Sequence, residues 1–264
     1  MSTPVRALGQ HGLFPDASPE TLPPNAWSSG NNVRFEKNRV SRAPALRTVD
    51  SGLLQSSPEF VLPATEADGT EYLVIANSDG SLTKWAGGTE TDVTPTSGFT
   101  PGTDSRAYTG CVLGNVVYIN RPDKVPYGFL PSGTDFEVIP AWDGNMRCGA
   151  LRSFGDYLIA MNVIDAGTDK PQLIKWSDAT LINEFPDSFD QTDPEQLAGE
   201  TPLSELKGPL VDGWPLRNAF VLYGNTQAFI MTLSNDQFVF NFDKLFDEGG
   251  IIAPNCVVEV DGRH

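Results

Sequence analysis

An all-β architecture is predicted by three features of this 264-residue sequence. Its 21 prolines and 25 glycines interrupt every candidate helical period. Short runs rich in β-branched and aromatic residues recur along its length. Between several of them lie two-residue turns of Gly with Asn or Asp, which supply the positive φ that a tight hairpin needs.

In chain order, the first element is LPPNAWSSGNNVRF (residues 22–35). Pro23 and Pro24 fix φ and withhold two backbone donors, so the lead-in is extended, while Gly30, Asn31 and Asn32 predict a turn. Trp27, next to Asn25, offers an apolar body large enough to pin the lead-in to a core. Val33 to Val40 then predict a hairpin with one apolar and one cationic face, the cations being Arg34, Lys37, Arg39, Arg42 and Arg47. These arginines either pair locally with the many carboxylates or engage an acidic partner subunit, a role that favours the planar guanidinium. Strands follow at EYLVIAN, SLTKWA, CVLGNVVYIN, ALRSFGDYLIAMNV, QLIKWSD, AFVLYGNTQAFIMTL, QFVFNF and CVVEV. Two stretches read as short helices, DATLINEF (178–185) and FDKLFDEGG (242–250), the second ended by Gly249 and Gly250.

The turns give the architecture. Asp79-Gly80, Gly114-Asn115, Gly155-Asp156, Gly224-Asn225 and Asp261-Gly262 set their glycines 34, 41, 69 and 38 residues apart. Three of these intervals are near the length of one four-stranded propeller blade. The prediction is a β-propeller, incomplete, with several blades of short antiparallel strands and an extended N-terminal segment. Residues 1–50 would form that segment and the first hairpin, and residues 51–264 the propeller, the long interval reflecting an acidic insertion around residues 165–215 or a blade whose own turn is disguised. An irregular β-sandwich with evenly spaced hairpins is the competing architecture. CVVEVDGRH closes on a hairpin turn, which predicts a strand edge that needs a partner or a longer chain to complete it.

Composition bounds the function. Eighteen basic against 34 acidic residues leave a net charge of −16, opposed to non-specific grip on phosphates. Cys111, Cys148 and Cys256 lie far apart in apolar surroundings and read as reduced core residues, without a disulfide framework or zinc site. The N-terminus lacks the apolar core of a signal peptide and no run is long enough for a bilayer, so a soluble product made in a cytoplasm is expected. No nucleophile elbow, phosphate loop, dinucleotide fingerprint, zinc-protease or calcium-loop motif is present, and histidine occurs only as His11 and His264. No catalytic residue, metal or cofactor is therefore expected. Acid pairs leave a two-carboxylate glycosidase open. The densest acidic group, Asp187, Asp190, Asp193 and Glu195, lacks the alternation of a calcium loop and reads as a solvated loop. Trp176 reads as core before sugar platform.

Five phrases, LPPNAWSSGNNVRFEKNRVSRAP, RCGALRSFGDYLIAMNV, LIKWSDA, GPLVDGWPLRNAFVLYGN and LFDEGGIIAPNCVVEVDGRH, resemble in order, over nearly the whole chain, tail proteins of short-tailed bacteriophages of the nozzle (tail tubular protein B) kind. The resemblance implies a propeller-based structural subunit of the virion tail, six copies of which surround a channel below the tail adaptor. Double-stranded DNA would pass transiently through the lumen, with tail fibres as further neighbours. It also implies a chain running well past residue 264. On this reading Pro23, Pro24, Asn25 and Trp27 anchor the entry segment, and the hairpin with Arg34, Arg39 and Arg42 is built into the propeller or against the adaptor. Acidic channel walls would let DNA slide, since each phosphate contact adds friction. A receptor- or polysaccharide-binding propeller is the alternative, marked by exposed aromatic side chains meeting carboxylates in one pocket.

Overall fold

A computed structural model describes residues 7–43, 56–97, 99, 107–234 and 238–264. It divides into two compact units, Met1–Leu53 and Leu54–His264. Arg47 lies outside the described residues. Among those residues no helix is long and apolar enough to cross a membrane.

The N-terminal unit is an extended chain with one 3-10 turn, Pro19–Thr21, followed by the hairpin of β1 (Val33–Glu36) and β2 (Arg39–Arg42). Its turn rests on Lys37 and Asn38, both at positive φ (48° and 63°). Cross-strand partners share a face, so Val33, Phe35 and Val40 line one side together with Arg42. The cationic face is thereby corrected: Arg34 and Arg39 stand opposite Arg42, alongside Glu36, which pairs with Arg34 at 3.1 Å.

The second unit is all-β, built from four consecutive four-stranded antiparallel meanders. Blade 1 comprises β3 (Pro58–Thr65), β4 (Glu71–Asn77), β5 (Leu82–Ala86) and β6 (Thr89–Asp92). Blade 2 comprises β7 (Thr109–Leu113), β8 (Val116–Asn120), β9 (Tyr127–Phe129) and β10 (Glu137–Val138). Blade 3 comprises β11 (Met146–Phe154), β12 (Tyr157–Asp165), β13 (Thr168–Trp176) and β14 (Gly199–Pro202). Blade 4 comprises β15 (Leu210–Leu216), β16 (Ala219–Gly224), β17 (Ala228–Leu233) and β18 (Phe240–Phe246). The first strand of each blade lies beside the first strand of the next, β3 by β7, β7 by β11 and β11 by β15. That is propeller geometry with the first strands innermost. The ring is not closed: among the described residues β15 does not return to β3.

Each pair of blades shares a sandwich core fed by alternate residues of facing strands. Val74, Leu82, Val117 and Phe129 fill the space between blades 1 and 2. Tyr118, Leu151, Leu158 and Trp142 fill that between blades 2 and 3, and Met161, Trp176, Phe220 and Met231 that between blades 3 and 4. On the opposite face of blade 4, Val221, Tyr223 and Ala228 meet Ile251 and Val257 of the C-terminal segment. Here the segment lies where a following blade would pack.

Several expectations are corrected. Residues 178–185 form no helix, because the Thr180 and Asn183 amides donate to Asp156 O (2.8 Å) and Gly114 O (2.7 Å) at hairpin tips. Much of 242–250 is strand, since β18 pairs with β17 from Phe240 to Phe246. Only the Val260–Arg263 bridge survives of the expected strand CVVEV. The region of the expected acidic insertion contains β13, β14 and the start of β15, and its longest irregular part is residues 177–198 between β13 and β14. Of the expected turns, Gly114-Asn115 has both residues at positive φ and Gly155 is likewise positive. Gly224 instead ends β16 without positive φ; the turn of blade 4 equivalent to those two is at Arg217-Asn218, with Arg217 at φ 58°. Asp79-Gly80 joins the second and third strands of its blade, so the even spacing mixed two kinds of turn.

Candidate functional site

In the N-terminal unit, Trp27 is half-buried and its groups are engaged locally. Its indole N–H donates to Leu8 O at 2.7 Å, its backbone N–H to Gly12 O at 3.0 Å, and its carbonyl accepts from the Phe14 amide at 2.8 Å. The ring meets Phe35 edge-on at 6.1 Å. Asn25 donates to Gln10 Oε1 at 2.9 Å, while Pro23 and Pro24 are exposed. Trp27 and the hairpin are thus brought together, with Arg34, Arg39 and Arg42 exposed on the two sides of the hairpin.

A second group, unmarked by any motif, lies on the innermost strands of the propeller. Arg152 of β11 is 3% exposed and Asp212 of β15 is 1% exposed. The guanidinium grips the carboxylate with two parallel bonds, Nε to Oδ1 at 2.8 Å and Nη2 to Oδ2 at 2.6 Å. Its Nη1 donates to Gly110 O of β7 at 2.9 Å, and its plane lies 4.8 Å from the Trp214 ring. Asn255 closes the group. Its amide N–H donates to Asp212 Oδ2 at 2.8 Å, its Oδ1 accepts from Arg152 Nη2 at 2.7 Å, and its Nδ2 donates to Tyr108 O at 2.8 Å. Asp212 Oδ1 also accepts from the Gly213 amide at 2.8 Å, so both carboxylate oxygens carry two donors. A saturated carboxylate has no lone pair left for proton transfer; it is a clasp tying blades 2, 3 and 4 to the C-terminal segment. The sequence signal for it is a lone charge within each of two apolar strands, ALRSF and LVDGW.

A third feature is a cleft of about 400 Å³ on the blade 2 side of blade 3. Blade 2 ends in strands of three and two residues, whereas β12 and β13 have nine each, so the outer part of blade 3 outruns its neighbour. Trp142 and Phe189, edge-to-face at 4.9 Å, form the apolar side of the cleft. Lys175, only 6% exposed, donates to Gln191 Oε1 at 2.5 Å and to Glu200 Oε2 at 3.0 Å. At the mouth Lys170 pairs with Asp165 at 2.7 Å, and that hydrogen bond raises the lysine pKa. Asp190 is held below the ordinary carboxylate value by its bonds from the Thr192 hydroxyl and amide.

The remaining sequence candidates have structural roles. Cys111 and Cys148 are buried, and burial pushes the Cys111 thiol up to about 12 and the Cys148 thiol higher still, so neither is a thiolate. Cys256 is exposed, which corrects its expected place in the core. Asp190 and Asp193 cap their own turns, at Thr192 and Glu195. Among the described residues no group of three or more His, Cys, Asp or Glu is placed to hold a metal. Trp176 is core, with its indole N–H on Leu197 O at 2.9 Å.

No known sequence family and no curated protein matches the chain. Among solved structures it is similar to the WD40 β-propeller domain of Doa1, at 12% identity and a TM-score of 0.33 over 67% of this chain and 64% of that one. It is also similar to a putative oxidoreductase (glucose dehydrogenase) from Thermus thermophilus, at 12% identity and a TM-score of 0.30 over 78% of this chain and 89% of that one. The chain spans 64% of the Doa1 domain's length. The fold assignment rests on the four successive meanders and their adjoining inner strands: this is an all-β chain of the open β-propeller kind.

Proposed function

We propose that the protein is a structural subunit of the short tail of a bacteriophage, a nozzle protein attached below the portal and adaptor, with no catalytic step of its own. The observation that carries this reading is the ordered series of phrases from LPPNAWSSGNNVRF to CVVEVDGRH, which resembles that family along almost the whole sequence. An open arc of blades fits the role, because among the described residues blade 1 has a neighbouring blade on one side only, which leaves that end of the arc for neighbouring structure. The saturated Arg152–Asp212–Asn255 clasp fits it as well, since that group stiffens the arc and performs no chemistry. A net charge of −16 suits a wall past which duplex DNA slides, as phosphate-binding cations would slow the passage. Six copies would form the ring, with the exposed Arg34, Arg39 and Arg42 offered to an acidic surface of the adaptor. Native mass measurement of the purified protein, alone and mixed with the adaptor, tests this. A sixfold ring, in solution or upon meeting the adaptor, is the expected result; a monomer indifferent to the adaptor would contradict it.

A further inference from the structure

We propose that the cleft on blade 3 is a binding site for a neutral or amino sugar residue. This inference is independent of the tail role, and three observations point to it. The first is the pairing of an aromatic side, Trp142 with Phe189, against a polar one, in a cavity of about 400 Å³, within the range of small-molecule sites. A pyranose ring presents C–H bonds on one face and hydroxyls at its edge, and needs both kinds of wall.

The second is the hydrogen-bonding capacity left over. An ammonium group has three donors, and Gln191 and Glu200 take two of those on Lys175, leaving one on a side chain that is almost fully buried yet lines the cavity. Among the described residues nothing accepts from the Gln191 amide nitrogen, and Asp165 and Glu200 each use one carboxylate oxygen, leaving the other as an acceptor. Free donors and free acceptors therefore both line the cavity, which suits hydroxyls because each both donates and accepts. The third is charge. Lys170 and Lys175 face four lining carboxylates, Asp143, Asp165, Asp190 and Glu200, so the site is net negative and rejects phosphates and uronic acids.

The test is titration of the purified chain with glucose, galactose, glucosamine and glucuronate, and separately with a delipidated surface polysaccharide, followed by Trp fluorescence and ligand-observed NMR. Saturable binding of neutral or amino sugars is expected, weakened about tenfold in Asp165→Asn and in Gln191→Ala, the worth of one charge-assisted or amide bond. Both positions are at the solvent edge, and an unchanged unfolding midpoint would show that the variants are folded. Binding of free sugars assigns the site to small saccharides; binding of the polymer alone assigns it to a surface glycan. The proposal is overturned if neither a free sugar nor the polysaccharide binds saturably, if glucuronate binds as tightly as glucose, or if both variants bind like the parent.

Discussion

Replacing Asp212 by Ala is expected to lower the unfolding free energy by about 3–5 kcal/mol, the cost of leaving a buried guanidinium without its partner. Arg152 is 3% exposed, and the carboxylate satisfies its Nε and Nη2, so the loss strands two donors where water does not reach. The Asn255 amide loses its acceptor in the same step, which loosens the C-terminal segment from the inner strands. Arg152→Met should cost a similar amount by leaving the carboxylate charged and buried. The double variant Arg152→Met with Asp212→Ala is expected to lose much less than the sum of the two single losses, because the desolvation penalty of the pair disappears with both charges. Urea denaturation of the four proteins measures the cycle. Additive losses would show that the two groups do not act as a pair.

Trp176→Ala is expected to cost a further 3–5 kcal/mol or so, by opening a cavity between blades 3 and 4. The ring is 7% exposed, meets Phe240 edge-on at 5.3 Å and Phe242 at 6.1 Å, and lies against Gly199, its cross-strand partner on β14. A Cβ at position 199 would run into the indole, so the glycine makes room for the tryptophan and Gly199→Val should mimic its loss. Trp176→Phe keeps most of the buried area and forfeits the bond to Leu197 O, for roughly 1 kcal/mol. Thermal melting of the three variants checks the order; a Trp176→Ala protein that melts with the parent would contradict the packing described.

The class of fold was legible because turn chemistry is local. Gly114-Asn115 and Gly155-Asp156 announced hairpins that the structure contains, and EYLVIAN and AFVLYG are strands as read. What the sequence hid depends on distant partners. β3 carries Pro58 and Pro63 and reads poorly as a strand, yet it is an edge of its sheet, where a missing N–H costs little. Pro171 likewise sits where β12 and β13 slip register between Met161 and Val163. Phe242, Leu245 and Phe246 have helical spacing, but an available edge of β17 drew them into β18. The clasp was hidden for the same reason. Arg152 and Asp212 are sixty residues apart, and only the stacking of blades 3 and 4 brings them together. The cleft depends on blade 2 being shorter than blade 3, a comparison visible only once the strands are paired.

The tail assignment is tested most directly by a three-dimensional reconstruction of the particle encoded with this chain, with density resolved along the tail axis. Six copies of the four-bladed arc encircling the channel below the adaptor, with carboxylates outnumbering lysines and arginines on the wall that faces DNA, is the predicted result. Absence of the chain from any particle, or a location off the axis at the tip of a fibre, would contradict it.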